Sequence, residues 1–140
     1  MYEQGRYGDA IQYFTQAIAK NPQFAFAYHN RGSAYGKMNN YAQAIADFSQ
    51  AITLDKNYAS AYSGRGFAYY GIKQYENAAR DFSKAISVNS SYAEAYYGRG
   101  NVYMILGHYE EAALDYEKAL SINPNLDAAR ANLNMILTAK

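Results

Sequence analysis

The segment Tyr28-His29-Asn30-Arg31-Gly32-Ser33-Ala34-Tyr35 returns as Tyr62-Ser63-Gly64-Arg65-Gly66-Phe67-Ala68-Tyr69. It returns again as Tyr96-Tyr97-Gly98-Arg99-Gly100-Asn101-Val102-Tyr103. The spacing between copies is 34 residues each time, with no insertion. A fixed period of this size means stacked supersecondary units, each burying its apolar face against its neighbours, rather than one globular core.

With Ala25 as position 1, full units run over 25–58, 59–92 and 93–126. Tyr28, Tyr62 and Tyr96 then hold position 4, Gly32, Gly66 and Gly100 position 8, and Tyr35, Tyr69 and Tyr103 position 11. Ala44, Ala78 and Ala112 hold position 20, Phe48, Phe82 and Tyr116 position 24, and Ala51, Ala85 and Ala119 position 27. Each set falls on one face of a helix, so each unit is two amphipathic helices, A and B, joined by a short turn. No stretch alternates with period two, so no strand is expected. The small residues let helices approach closely, and the rings fill the space beside them. A glycine inside a helix costs about 0.5–1 kcal/mol relative to alanine, so glycines repeated in register imply a packing need.

The ends depart from the pattern. Residues 1–24 read as a partial unit, mainly a helix B, in which Tyr7, Ala10, Phe14 and Ala17 keep the register. Residues 127–140 read as a terminal capping helix whose Leu133, Ile136 and Leu137 pack back on the last full unit.

Half of the residues are apolar, net charge is +1, and cysteine is absent. That balance suggests no nucleic-acid or anionic-membrane surface, and no run is long and apolar enough for membrane insertion. The absence of cysteine excludes disulfides and thiolate chemistry. For the chain as given, the cytoplasm is the expected compartment.

The spacing Tyr28-x2-Arg31-Gly32-x2-Tyr35, followed by Ala44-x3-Phe48, resembles the tetratricopeptide repeat. The resemblance covers essentially the whole chain. Tyr stands where the family has Trp, Arg where it has Leu, and the late proline survives only as Pro22 and Pro124. The resemblance implies an all-α, right-handed superhelical solenoid of antiparallel helix pairs, in which helix A lines a concave groove. It also implies adaptor work, the holding of a peptide or a partner helix.

Position 7 carries Arg31, Arg65 and Arg99, and Asp47, Asp81 and Asp115 follow 16 residues later each time. The partial first unit and the last helix lack the pair. This reads as an Arg–Asp tie between helices A and B, because the guanidinium fork binds a carboxylate bidentately. A row of arginines reading phosphate or carboxylate ligands is the functional alternative.

By the resemblance, the groove takes its side chains mainly from helix A. The first unit offers Phe26, His29, Asn30, Ser33, Gly36 and Lys37, and the second Ser60, Ser63, Gly64, Phe67, Tyr70 and Gly71. The third offers Glu94, Tyr97, Gly98, Asn101, Met104 and Ile105. Phe67, Tyr70, Tyr97, Met104 and Ile105 are expected to form an apolar strip toward the C-terminal half, and Ser60, Ser63, Gly64 and Gly98 to make room for a ligand backbone. Such a strip suits a peptide or helix with apolar anchors. Repeats of this family that clamp the acidic tails of Hsp70 and Hsp90 use Lys, Asn and Arg at positions held here by His29, Ser33, Gly64, Glu94 and Gly98. A chaperone-tail clamp is therefore not expected.

Catalysis is not expected either. His29 and His108 are the only histidines and belong to different units. No nucleophile–base pair, metal-ligand spacing or phosphate loop emerges, and no cofactor is implied. The reading is a protein- or peptide-binding scaffold. The alternative is self-assembly, a homo-oligomer formed through the end helices, since the first helix carries an apolar face (Ile11, Phe14, Ile18) without a partner helix A.

Overall fold

The computed structural model describes residues 2–139, with side chains described from Gly5 onward; Met1 and Lys140, the limits of the first and last segments, lie outside the described residues. Within it run α1 (Tyr2–Lys20), α2 (Ala25–Lys37), α3 (Tyr41–Leu54), α4 (Ala59–Gly71), α5 (Tyr75–Val88), α6 (Ala93–Leu106), α7 (Tyr109–Ile122) and α8 (Asp127–Thr138). The pairs α2/α3, α4/α5 and α6/α7 pack most closely, and each helix also packs on its chain neighbours. The result is an all-α solenoid without strands among the described residues.

The turn inside each pair is a Schellman motif. His108 N–H donates to the Tyr103 carbonyl (2.8 Å) and Gly107 N–H to that of Met104 (3.1 Å). Gln74 and Lys73 repeat these bonds to Tyr69 and Tyr70, and Asn40 and Asn39 to Tyr35 and Gly36. The motif places one residue in the left-handed region: Asn39 (φ 63°), Lys73 (φ 66°) and Gly107 (φ 82°). Gly5 holds the same register, yet α1 runs through it from Tyr2 as continuous helix.

The loops between units are built alike. The side-chain oxygens of Asn21, Asp55, Asn89 and Asn123 each accept the N–H two residues on, at 3.0–3.1 Å. The hydroxyls of Tyr28, Tyr62 and Tyr96 then donate to the carbonyls of Pro22, Lys56 and Ser90 at 3.0–3.1 Å. In α8, Arg130 replaces the tyrosine and reaches the Pro124 carbonyl. An Asx turn pinned by a phenol holds the loop, so Lys56 and Ser90 can stand where the family has proline.

Alanines at the helix crossings from α2 onward (Ala27, Ala44, Ala51, Ala61 and their later repeats) have no exposed surface. The aromatics Phe48 and Phe82 are each clasped by two glycines. A Cβ on Gly66 would sit 2.9 Å from the Phe82 ring, and one on Gly98 of the next unit would also strike it. A Cβ on Gly64 would lie 2.5 Å from Phe48. Gly64 and Gly98 therefore make room for the chain's own rings, and not first for a ligand. One expectation fails at the cap. Leu133 and Ile136 pack into the cluster around Tyr116, but Leu137 is 58% exposed, on a face that none of the described helices covers.

Urea denaturation should separate these glycines. Gly64→Ala should lower stability by about 1–3 kcal/mol through overpacking. Gly36→Ala, where a Cβ meets nothing within 4 Å, should raise it by about 0.5–1 kcal/mol. Lys73→Gly should raise it by about 1 kcal/mol by relieving a left-handed lysine.

Candidate functional site

An open groove of about 540 Å³ lies between α2 and α4 and reaches the start of α6. His29, Ser33, Gly36 and Lys37 line one wall, Ser60, Ser63, Gly64, Phe67, Tyr70 and Gly71 the other, and Glu94 one end. Tyr41, Phe48 and Tyr92 complete it. The Phe48 ring lies over Gly64 at the floor. His29 stacks on Tyr58 (4.9 Å between centroids, 18°) and meets Phe48 edge-on at 5.5 Å. His29 Nδ1–H donates to Asn30 Oδ1 at 2.9 Å.

The remaining groove candidates lie elsewhere. Phe26 pairs with Phe24 at 5.8 Å, outside the groove. Tyr97 and Met104 pack against the cluster of Ala112, Tyr116 and Ala129. Asn101 Oδ1 accepts from the Tyr116 hydroxyl (2.6 Å) and from Asn132 Nδ2 (3.2 Å), so it ties the last pair to α8. Ile105 is 52% exposed. Sequence reasoning missed Tyr58 and Tyr92, although an apolar residue recurs there as Phe24, Tyr58, Tyr92 and Leu126. Burial pushes the Tyr92 phenol up to about 12, and the charge and hydrogen bond of Glu94 add to this.

Each position-7 arginine joins three helices. Arg65 Nε and Nη2 donate to the two oxygens of Asp81, both at 2.8 Å. Its Nη1 donates to Ser49 Oγ of the preceding helix B at 3.1 Å. Arg31 does the same with Asp47 and Thr15, and Arg99 with Asp115 and Ser83. The guanidinium of Arg65 also faces the rings of Tyr62 and Tyr69 at 5.9 and 6.0 Å. The arginine side chains are 20–22% exposed and their aspartates 7–8%. The hydrogen bond to aspartate holds each guanidinium pKa above its ordinary value, with burial working the other way. Each of the three guanidinium nitrogens of these arginines thus donates to a partner within the fold. Thr15, Ser49 and Ser83 could have been found from the sequence, as hydroxyls 16 residues before each arginine.

Family models give the same repeat. A tetratricopeptide repeat model matches residues 25–58 and 93–126, and a TPR repeat model matches residues 1–39 and 72–107, more than half of the chain. The chain belongs to the tetratricopeptide repeat family. No curated protein sequence matches it. Among solved structures, this TPR chain is similar to the crystal structure of MamA, with 27% identity and TM-score 0.85 over 96% of this chain and 79% of that one. It is similar to the first TPR of Spaghetti (RPAP3) bound to HSP90 peptide SRMEEVD, with 32% identity and TM-score 0.79 over 84% and 93% of the two chains. It is also similar to YrrB, described as a TPR protein with an unusual peptide-binding site, with 30% identity and TM-score 0.79 over 89% and 64%. TPR domains commonly mediate protein–protein interaction, and some of these neighbours bind peptides. Among the described residues of this TPR domain, no group of three His, Asp or Glu could hold a metal ion, and no helix is long and apolar enough to cross a membrane.

A double-mutant cycle on Arg65→Ala and Asp81→Ala should give a coupling of about 1–3 kcal/mol, above the ~0–1 kcal/mol of an exposed pair. Alkaline pH provides a second check. Between pH 10 and about 12 the Tyr92 phenol is ionised in the unfolded chain and protonated in the folded one. The folded state then holds more protons, so its stability falls as pH rises. Melting temperature should fall less steeply over that range in Tyr92→Phe than in the wild type.

Proposed function

We propose that the protein is an interaction scaffold that holds an extended peptide segment in the groove between α2 and α4, and that it is not an enzyme. Gly36 is the observation that carries this reading. It lines the groove within a helix, where glycine is disfavoured, yet a Cβ there would touch nothing. The clasped glycines answer a packing demand of the fold, whereas Gly36 leaves space that no residue of this chain fills. Rings from His29, Phe48, Phe67 and Tyr70 give that space apolar walls, and Ser33, Ser60 and Ser63 offer hydrogen bonds to a peptide backbone.

The RPAP3 neighbour holds an HSP90 peptide whose sequence, SRMEEVD, is rich in carboxylates. This groove is a poor match for such a tail. Its single lining cation is Lys37, and Glu94 would repel an acidic peptide. Fluorescence anisotropy with labelled SRMEEVD should show no micromolar binding.

Gly36→Leu provides the decisive test, since it adds bulk to the groove at a position where a Cβ meets nothing within 4 Å. Peptides selected by the wild-type protein from a random array should bind the variant at least about tenfold more weakly, a loss on the order of 1.4 kcal/mol. Circular dichroism should remain unchanged. Equal binding by both proteins would end the groove reading.

Self-association through the end helices is the second reading, and one observation favours it. Tyr13 on α1 is 68% exposed, and Ala10 and Ala17 are partly exposed where Ala44 and Ala51 are fully buried. A concentration-independent monomer mass by light scattering would remove it.

A further inference from the structure

The two charges on the groove stand at opposite ends. Lys37 is the last residue of α2, whereas Glu94 is the second residue of α6. Each tight turn reverses the chain, so two reversals leave α2, α4 and α6 running the same way. Glu94 therefore lies with Ser60 and Tyr92 where these helices begin, and Lys37 lies with Tyr41 and Gly71 where they end. From Ser60 to Gly71 the groove follows about 16 Å of helix at 1.5 Å per residue. An extended peptide covers that length with about five residues at ~3.3 Å each.

Among the described residues neither charge forms an ion pair, and the three salt bridges there are those of the arginine ladder. Both side chains are exposed, and no like charge lines the groove beside either of them. The partial charges of the helix ends oppose both groups, but a macrodipole supplies only about half a unit charge, and each side chain carries a full one.

Building on the groove reading, we infer that the occupant is a short extended segment of mixed charge. It carries a cationic residue at the Glu94 end, an anionic residue about four positions away at the Lys37 end, and an apolar side chain between them over Gly64. The apolar side chain meets the rings of His29, Phe48 and Phe67. A uniformly acidic or uniformly basic segment satisfies one end and is repelled at the other, so the pair selects by sign as well as by shape.

Three synthetic pentapeptides test this by isothermal titration at low salt: Ac-KAFAE-NH2, Ac-EAFAE-NH2 and Ac-KAFAK-NH2. The mixed peptide should bind the wild-type protein roughly fivefold or more tightly than either uniform one. Lys37→Glu should move the preference to the doubly basic peptide, and Glu94→Lys to the doubly acidic one. Both positions are exposed, and circular dichroism should show both variants folded. If the three peptides bind alike, yet all are lost in Gly36→Leu, the groove reading stands and the charge pairing falls. If binding survives Gly36→Leu, or if no peptide binds, both fall. A preference of the wild type for the doubly acidic peptide overturns the inference directly.

Discussion

The guanidinium at position 7 holds the solenoid together in two directions at once. A repeat protein has only nearest-neighbour contacts, so its stability is the sum of each unit and each interface. Arg65 serves both, since its bidentate bond to Asp81 closes α4 on α5 and its third bond to Ser49 joins that pair to α3. Burial of the aspartate would be costly alone, and the two parallel charge-assisted bonds offset that cost. The set ends where its geometry ends. The residue aligned with Thr15, Ser49 and Ser83 in the last pair is Glu117, and the next helix carries Leu133 in place of arginine. Hydroxyl, arginine and aspartate thus come and go together along the chain.

A second constraint couples the fold to the groove. Phe48 and Phe82 each reach across their own helix A toward the next, and a glycine at each contact leaves the room they need. Asn132 takes the second glycine's place in α8, and there the ring is Tyr116, whose hydroxyl meets Asn132 and Asn101. The polar ring and the polar partner go together, as they must when a buried hydroxyl needs bonds. Because Phe48 is both a packed ring and the groove floor, substitutions there would confound stability with binding.

What could be read from the sequence follows from periodicity. Residues that recur in register, such as Gly32, Arg31, Asp47, Tyr28 and Ala44, announce the helix pairs, their order and the arginine–aspartate tie. Even the loop phenols were visible as repeats, although their carbonyl partners were not, because a backbone acceptor leaves no mark on side-chain identity. Leu137 misled because an amphipathic stripe does not show how wide a face its neighbour covers. Asn101 misled because its register position suits a groove, while the bonds that claim it come from Tyr116 and Asn132, which lie far off in sequence.

The groove itself escaped the periodic reading for a physical reason. Large apolar residues at Phe67, Tyr70, Tyr97 and Met104 suggested a strip in the C-terminal half. In the folded chain, Tyr97 and Met104 pack into the C-terminal core cluster, and Phe67 meets Phe82 edge-on at 4.8 Å. The opening lies one unit earlier, where Ser33 and Gly36 on α2 face Ser63 and Gly64 on α4. In a scaffold whose backbone spacing is fixed by repetition, bulk fills and smallness opens. Such a groove is found where the repeat becomes small without a packing reason, and Gly36 is that place.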